Sequence, residues 1–375
     1  MTAAPDTTER PERQERQAAS DEVTEVATGV YRLQLPISLP GLGHVNCYAF
    51  EDPNGFTVVD PGLPDPDSFV ALQHRLSQLG ATPANIHTVL VTHSHPDHFG
   101  GAGRLRLVAG AEVIAHEHFR SIFDPREDDA AELLDVRAPK IDMNGFDPAD
   151  FATYLLGDDH IPEIPGRRTT WGGEIPFLSR DEIRHMRTWD DVTKRGFLTP
   201  SPDRRVADAD HVTLAGREWR AIFTPGHTGD HLCLFDPTEG ILLTGDHVLP
   251  TITPHISGLA LSADALADFF DALDKVASIE GVRLALPAHG HPFTDVAGRT
   301  AAIRQHHAER LEVLREIARG EGELDVIEFS HHLFQERSWG AMAESETYAH
   351  LEHMRLTGEA HSRREGTRLL YDLHV

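Results

Sequence analysis

Large apolar side chains are almost missing from the first twenty-two residues, and regular alternation begins only near Val23. A segment that polar cannot bury a core, so residues 1–22 are expected to form a disordered arm. Alternation at 30–35, followed by β-type runs at 45–50 and 56–59, predicts three strands, with Asp52-Pro53-Asn54-Gly55 as the turn between the last two. Phe69, Leu72, Leu76 and Leu79 then recur at helical spacing, and Gly80 stands at the C-cap position. The unbroken apolar run 86–91 reads as a buried strand that ends in Thr92-His93-Ser94-His95-Pro96-Asp97-His98. Gly100-Gly101 opens a short helix to about Val108, and a further strand at 112–115 ends at His116.

From about 120 to 205 this rhythm breaks into Pro, charge and scattered aromatics, among them Phe151, Trp171 and Trp189. The stretch is too long for a plain loop. It predicts an insertion with helices of its own, serving either as a lid or as a small separate core. Strand-like runs return at 219–223, 232–235, 241–243 and 282–286, the last leading into Pro287-Ala288-His289-Gly290-His291. Beyond Val296 the period becomes helical: Ile303, His307, Leu311, Leu314 and Ile317 share a face, with Gly320 as the expected stop. A helix over about 344–356 and a strand at 368–371 complete the pattern. The expected organisation is an arm (1–22), an α/β domain (23–295, with an insertion at about 120–205) and a C-terminal domain (296–375).

Composition narrows the function. The chain of 375 residues carries 34 Lys and Arg against 60 Asp and Glu, a formal charge of −26. That balance argues against a protein that coats phosphate backbones. No stretch approaches the roughly 18–20 apolar residues of a membrane span, and no apolar region follows Met1 as a secretory signal requires, so a cytoplasmic location is expected. Cys47 and Cys233 are the only cysteines, which leaves no disulfide framework and no Cys-rich zinc ribbon. Both are expected to be buried thiols.

The 25 histidines gain meaning from their spacing. His93-x-His95-x-Asp97-His98 places four donor side chains in six positions at the end of a strand. Imidazole and carboxylate together suit Zn, Fe or Mn. Alternate side chains of such a loop splay apart, so His93 and His95 can face one ion while Asp97 and His98 face another. Three more donors follow strand-like runs: His227 in Thr224-Pro225-Gly226-His227-Thr228, Asp246 in Leu243-Thr244-Gly245-Asp246, and His289 before Gly290. Each alone is ordinary turn chemistry. Four such elements in order are hard to obtain by chance.

That order resembles the metallo-β-lactamase superfamily over residues 23–295. The resemblance implies an α/β fold, the four-layer αββα sandwich. It implies one metal site from His93, His95 and His227, a second from Asp97, His98 and His289, and Asp246 bridging the two. The implied cofactor is two divalent metal ions, zinc first, with iron or manganese also accepted. The flavodiiron relatives place Glu where His95 stands, so a redox role is disfavoured. Two such cations can activate one water for attack on a carbonyl or phosphorus, with Asp97 and Asp246 as the catalytic carboxylates. Asp60 in Val58-Val59-Asp60-Pro61-Gly62 matches the Asp after an early strand in this family and is the first candidate to hold an imidazole from behind. His116, His231 and His255 are further candidates for substrate or supporting contacts, each weighed against a purely structural role. His44 lies near the expected pocket mouth.

Residues 296–375 resemble the winged-helix extension of some β-lactamase-like hydrolases, the β-lactamase-like protein 2 group included. Their ten basic and fourteen acidic residues disfavour nucleic-acid reading and leave a packing or dimerising role, with a homodimer as one arrangement. The expected function is metal-dependent hydrolysis of a thioester, ester or lactone in a small-molecule substrate, as in the glyoxalase-II-like branch. The alternative is a metal-dependent endoribonuclease. A non-enzymatic metal-binding protein fits a complete donor set poorly.

Overall fold

A computed structural model describes residues 13–37, 41–120, 167–175, 201–258 and 262–374. The chain begins with strands β1 (Thr24–Ala27), β2 (Val30–Pro36), β3 (His44–Asp52) and β4 (Gly55–Val59). Helix α1 (Pro66–Gln78), strand β5 (Ile86–Leu90), helices α2 (Pro96–Phe99) and α3 (Ala102–Ala109), and strand β6 (Glu112–His116) follow. Asp65 caps α1 by accepting from the Ser68 N–H, and Pro66 fills the first turn, where its missing N–H is not needed. After the two-residue pair β7 (Arg167–Arg168) and β8 (Glu174–Ile175), strand β9 (Arg204–Val206) completes a sheet in the order β1-β2-β3-β4-β5-β6-β9. Pairing is antiparallel from β1 to β4 and parallel from β4 through β9.

A second sheet is built from β10 (His211–Leu214), β11 (Arg217–Phe223), β12 (Leu232–Asp236), β13 (Ile241–Gly245) and β14 (Leu284–Pro287), in that order, and helix α4 (Ala265–Ala277) lies between the last two in sequence. Because side chains alternate along a strand, each sheet buries both faces. Tyr48, Phe50, Val59, Leu90 and Ile114 of the first sheet meet Trp219, Leu232, Leu234 and Leu243 of the second. The outer face of the first sheet packs Cys47, Val58 and Val89 against Leu72 and Leu76 of α1 and Leu105 of α3. The outer face of the second packs Ile222, Cys233 and Leu242 against Leu266, Phe269 and Leu273 of α4. The layers therefore run helix, sheet, sheet, helix. Both cysteines are free and buried, as expected.

The C-terminal residues add α5 (Val296–Glu321), β15 (Leu324–Asp325), α6 (Val326–Leu333), α7 (Ala341–Leu356), β16 (Ala360–Glu365) and β17 (Arg368–Leu373), with strand order β15-β17-β16. Ile303, Leu314, Phe329, Leu351 and Tyr371 join the same apolar cluster as α4, so this unit completes the outer layer of the second sheet. Helix α5 passes through Gly320, the expected stop, and ends where Gly322 leaves helical geometry at φ +80°. Gly320 stays helical, whereas Gly322 takes a positive φ that L side chains avoid. Among the described residues no helix is long and apolar enough to cross a membrane.

Most of the 120–205 insertion lies outside the described residues. Its described piece holds Trp171, which is buried against Tyr348 at 4.8 Å and donates from Nε1 to Glu344 Oε2 at 3.0 Å. This aromatic is part of the C-terminal packing rather than of a separate insert core. The arm expected to be disordered through residue 22 is also corrected: residues 13–22 are placed against the domain. Glu15 is fully buried and accepts hydrogen bonds from Thr251 N–H (2.8 Å), Ile252 N–H (3.1 Å) and the Thr251 hydroxyl. A polar segment can be ordered without an apolar core when backbone donors satisfy its charge.

Replacing Glu15 by Ala strands those two N–H groups. It is expected to cost about 1–3 kcal/mol, seen as a lower thermal midpoint; an unchanged midpoint would show that the segment's contacts carry no stability.

Candidate metal centre

Strands β4, β5 and β6 run parallel, so they end at one edge of the first sheet. In the second sheet β11, β13 and β14 also share a direction, since β12 is antiparallel to both its neighbours and β13 is parallel to β14. The residues after these strand ends converge. His93, His95, His227 and Asp246 form one group whose donor atoms lie within 4.8 Å of one another; Asp97, His98 and His289 form a second. His93 Nε2 is 3.0 Å and His227 Nε2 3.1 Å from His95 Nδ1. Asp246 lies between the groups. Its Oδ2 is 3.5 Å from His227 Nε2 and 3.7 Å from His98 Nε2, and its Oδ1 is 3.2 Å from His289 Nε2. Asp97 Oδ2 is 3.4 Å from His98 Nε2 and 3.5 Å from His289 Nε2.

Hydrogen bonds on the far side of each ring fix which nitrogen is bare. A carbonyl oxygen only accepts, so His227 Nδ1 must donate to His255 O (2.8 Å) and His289 Nδ1 to His44 O (2.6 Å). Asp60 is also an acceptor only, and it takes the His98 Nδ1 proton at 2.9 Å. The Thr92 hydroxyl gives its own proton to Asp60 Oδ2 (2.8 Å), so it accepts from His93 Nδ1 (3.1 Å). In the neutral form each of these four imidazoles therefore turns a bare Nε2 inward. His98 Nε2, His289 Nε2 and Asp246 Oδ1 are buried and have no hydrogen-bond partner. Each such orphan costs about 1–3 kcal/mol if nothing meets it. A cation answers all of them, and nitrogen plus carboxylate is the donor chemistry of Zn, Fe and Mn. The residues present fit divalent metal.

The electrostatics agree. Burial, with the neighbouring His98 and His95, lowers His93 well below the ordinary histidine range, and burial beside His227 takes His95 to about 3. Burial works against ionised Asp97 and Asp246, but the surrounding imidazoles outweigh it, leaving Asp97 at about 2 and Asp246 well below its usual value. Burial also opposes a charged His98, yet the carboxylates of Asp97, Asp246 and Asp60 raise it well above the ordinary range. Three buried carboxylates thus make a pocket that favours positive charge.

Asp60 does more than hold His98. It accepts from the Thr92 N–H at 2.9 Å, and its own backbone sits at φ +54°. A non-glycine residue held there costs of order 1 kcal/mol, a strain that persists only where the surroundings impose it. Gly245 (φ +50°) allows β13 to pass close to His231, whose Nε2 lies 2.5 Å from where a Cβ would be. That Nε2 accepts the Asp246 N–H at 3.0 Å, while Nδ1 donates to the Thr224 hydroxyl at 2.7 Å. His231 therefore orients the Asp246 backbone and has no nitrogen left for a ligand. His116 is not among the clustered donors; its ring stacks on Phe223 at 4.2 Å and its Nδ1 accepts from the His118 N–H. His255 contributes its backbone carbonyl, and its ring faces Glu346. His44 likewise acts through its carbonyl. Of Thr92, Thr224 and Glu346, only Thr92 carries a sequence signal for its role, as the Thr directly before the first His of the motif; Thr224 and Glu346 carry none.

Comparison with known proteins follows the same lines. A family model described as the metallo-beta-lactamase superfamily matches residues 40–289. The lactamase-like protein vrtG of Penicillium aethiopicum is 30% identical over 141 residues, 38% of this chain and 41% of that protein. The atrochrysone carboxyl ACP thioesterase nsrC of Aspergillus novofumigatus is 30% identical over 188 residues, 47% of this chain and 52% of that protein. The chain thus spans about half the length of these curated relatives, or less. Among solved structures, a metallo-beta-lactamase family protein of Thermus thermophilus is similar at TM-score 0.67 and 27% identity, covering 93% of this chain and all of that one. A beta-lactamase domain protein of Burkholderia ambifaria has the same fold at TM-score 0.67 and 24% identity, covering 96% of each chain.

Asp60→Ala removes the acceptor for His98 and two bonds to Thr92. It is expected to weaken divalent-metal binding by about 10–100-fold, read by competition with a chromophoric chelator. Affinity equal to wild type would mean that the His98 tautomer is set elsewhere.

Proposed function

We propose that this chain, which belongs to the metallo-beta-lactamase superfamily, is a dinuclear metallohydrolase acting on a thioester, ester or lactone carbonyl of a small molecule. The observation that carries the reading is the inward turn of four bare imidazole nitrogens around Asp97 and Asp246, with the proton of each ring anchored outside. His93, His95 and His227 would hold the first ion and Asp97, His98 and His289 the second, with Asp246, within 4.0 Å of donors from both groups, shared between them. Zinc is the first choice, and iron or manganese is accepted by the same donors. When bound, a pair of divalent cations brings the pKa of water towards neutrality and polarises a carbonyl oxygen. The chain's part is to hold the donors rigidly. Asp97 would accept a hydrogen bond from the attacking water and orient it, and buried packing around the imidazoles would keep their geometry. No Ser or Cys nucleophile is needed, and both cysteines lie buried in the cores. Their thiols are pushed up by burial, Cys233 to about 12.

Support for a thioester comes from the partial similarity to nsrC, named as an acyl-carrier thioesterase. The overall charge of −26 supports a small substrate over a polyanion. The C-terminal order α5-β15-α6-α7-β16-β17 supports reading that unit as winged-helix-like. Its packing into the second-sheet cluster gives it a structural role, as its acidic balance also favours. Two free cysteines suit a reducing, cytoplasmic setting.

The test is a paired assay on zinc-loaded protein, with acyl thioesters and lactones in one arm and single-stranded RNA in the other, and Asp246→Ala as the control. Turnover of the first arm, falling by at least about 10³-fold in the variant or on chelation, is the expected result. RNA cleavage lost in the same variant would replace the proposal with the endoribonuclease reading.

A further inference from the structure

The candidate metal centre touches the C-terminal unit through the loop that follows Asp246. Near its start the loop is fixed by Glu15 at Thr251 and Ile252, and by Arg299, which donates to the carbonyls of Leu249 and Ile252. Near its end it is fixed by α7. Ser345 Oγ accepts the Gly258 N–H at 3.0 Å, and a Cβ at Gly258 would lie 2.6 Å from the Ser345 carbonyl oxygen, so loop and helix meet through bare backbone. Between these points His255 Nδ1 donates to Glu346 Oε2 at 3.3 Å, and the His255 carbonyl accepts the His227 Nδ1 proton at 2.8 Å.

Glu346 is held in turn. Arg310 of α5 pairs with its Oε1, and its backbone carbonyl accepts from His350 Nδ1 at 2.7 Å. Burial opposes its ionisation, but His255 and Arg310 hold it at about 2, so it is a carboxylate at neutral pH. His307, Glu346 and His350 lie close enough together to suit a cation. However, Arg310 already supplies the positive charge, and both His350 nitrogens are engaged, Nε2 by His307 Nδ1 at 3.1 Å. This cluster is better read as a polar lock between α5 and α7 than as a third metal site.

We infer that Glu346 is a positioning residue for His227: by holding the His255 ring it sets the His255 carbonyl, and that carbonyl sets the orientation and tautomer of the His227 imidazole. The inference rests on the metal reading of His227 made above. It assigns the C-terminal unit a specific duty, the upkeep of one ligand in the first metal group.

The test is cobalt(II) binding to the full chain, followed by visible d–d absorption and a competing chelator. Glu346→Ala is expected to bind one of two cobalt ions about tenfold more weakly, with altered bands, and to leave the other unchanged. Glu346→Gln keeps an acceptor for His255 and is expected to restore most of that affinity. Leu314→Ala, in the buried face of α5, is expected to lower the thermal midpoint without changing either affinity. Should Glu346→Ala not fold, Glu346→Asp shortens the reach towards His255 and is expected to shift affinity in the same direction. Wild-type affinities in folded Glu346→Ala or Glu346→Asp overturn the inference. So does an equal loss in Leu314→Ala, or a loss in Glu346→Gln as large as in Glu346→Ala, since the fold or the Arg310 pair would then be responsible. His227→Ala separates the two levels: if it too binds two cobalt ions as wild type does, the metal reading itself fails; if it loses one while Glu346→Ala does not, only the positioning role fails.

Discussion

A neutral imidazole has one proton and two nitrogens, and the centre of this protein depends on where four such protons go. His93, His98, His227 and His289 each place theirs on an acceptor outside the cluster: a threonine hydroxyl, a carboxylate and two backbone carbonyls. Were any of those acceptors displaced, the ring could flip its proton inward and oppose a cation instead of binding it. The acceptors come from different parts of the chain: Thr92 and Asp60 after β5 and β4, the His44 carbonyl at the start of β3, and the His255 carbonyl in the loop after Asp246. The two sheets must therefore stack in one register for the tautomers to be right, and the left-handed backbone at Asp60 is one visible cost of meeting that demand.

This division explains what the sequence made legible. The inward donors are side chains in strand-end motifs, so their identities and spacing could be read, and the fold followed from the strands that precede them. The outward acceptors are half backbone. Any residue supplies a carbonyl, so nothing in the letters at 44 or 255 marks those atoms. Asp60 was readable because its carboxylate does the work. Glu15 was not, because its partners are backbone N–H groups beginning 236 residues away, and its own surroundings are polar enough to look like free chain. Gly320 misled for a related reason: the helix stop depends on which glycine takes a positive φ, and composition alone does not distinguish Gly320 from Gly322.

Electrostatics separate the reaction centre from the surface. Asp60, Asp97 and Asp246 put three carboxylates into a buried pocket, where charge is weakly screened and the attraction for a cation is correspondingly strong. The exterior excess of acidic residues acts over longer distances and repels polyanions. A neutral acyl carbonyl meets no such penalty. The donors fix the class of chemistry, and they leave the choice of substrate to what surrounds them.

The start of α7 is where those surroundings are tied together. Three consecutive residues reach three segments: Glu344 accepts from Trp171 of the insertion, Ser345 from the Gly258 backbone, and Glu346 from His255. Successive helical residues point about 100° apart, so one turn of helix can hold three partners that do not compete for space. Arg310 and the His307–His350 pair then fix that turn to α5, and the apolar cluster fixes α5 to α4 and the second sheet. The described part of the insertion and the loop behind His227 are consequently anchored to the same short piece of backbone. A displacement of that turn cannot move one without the other, which makes the C-terminal unit a structural part of the centre even though none of its side chains is among the seven donors.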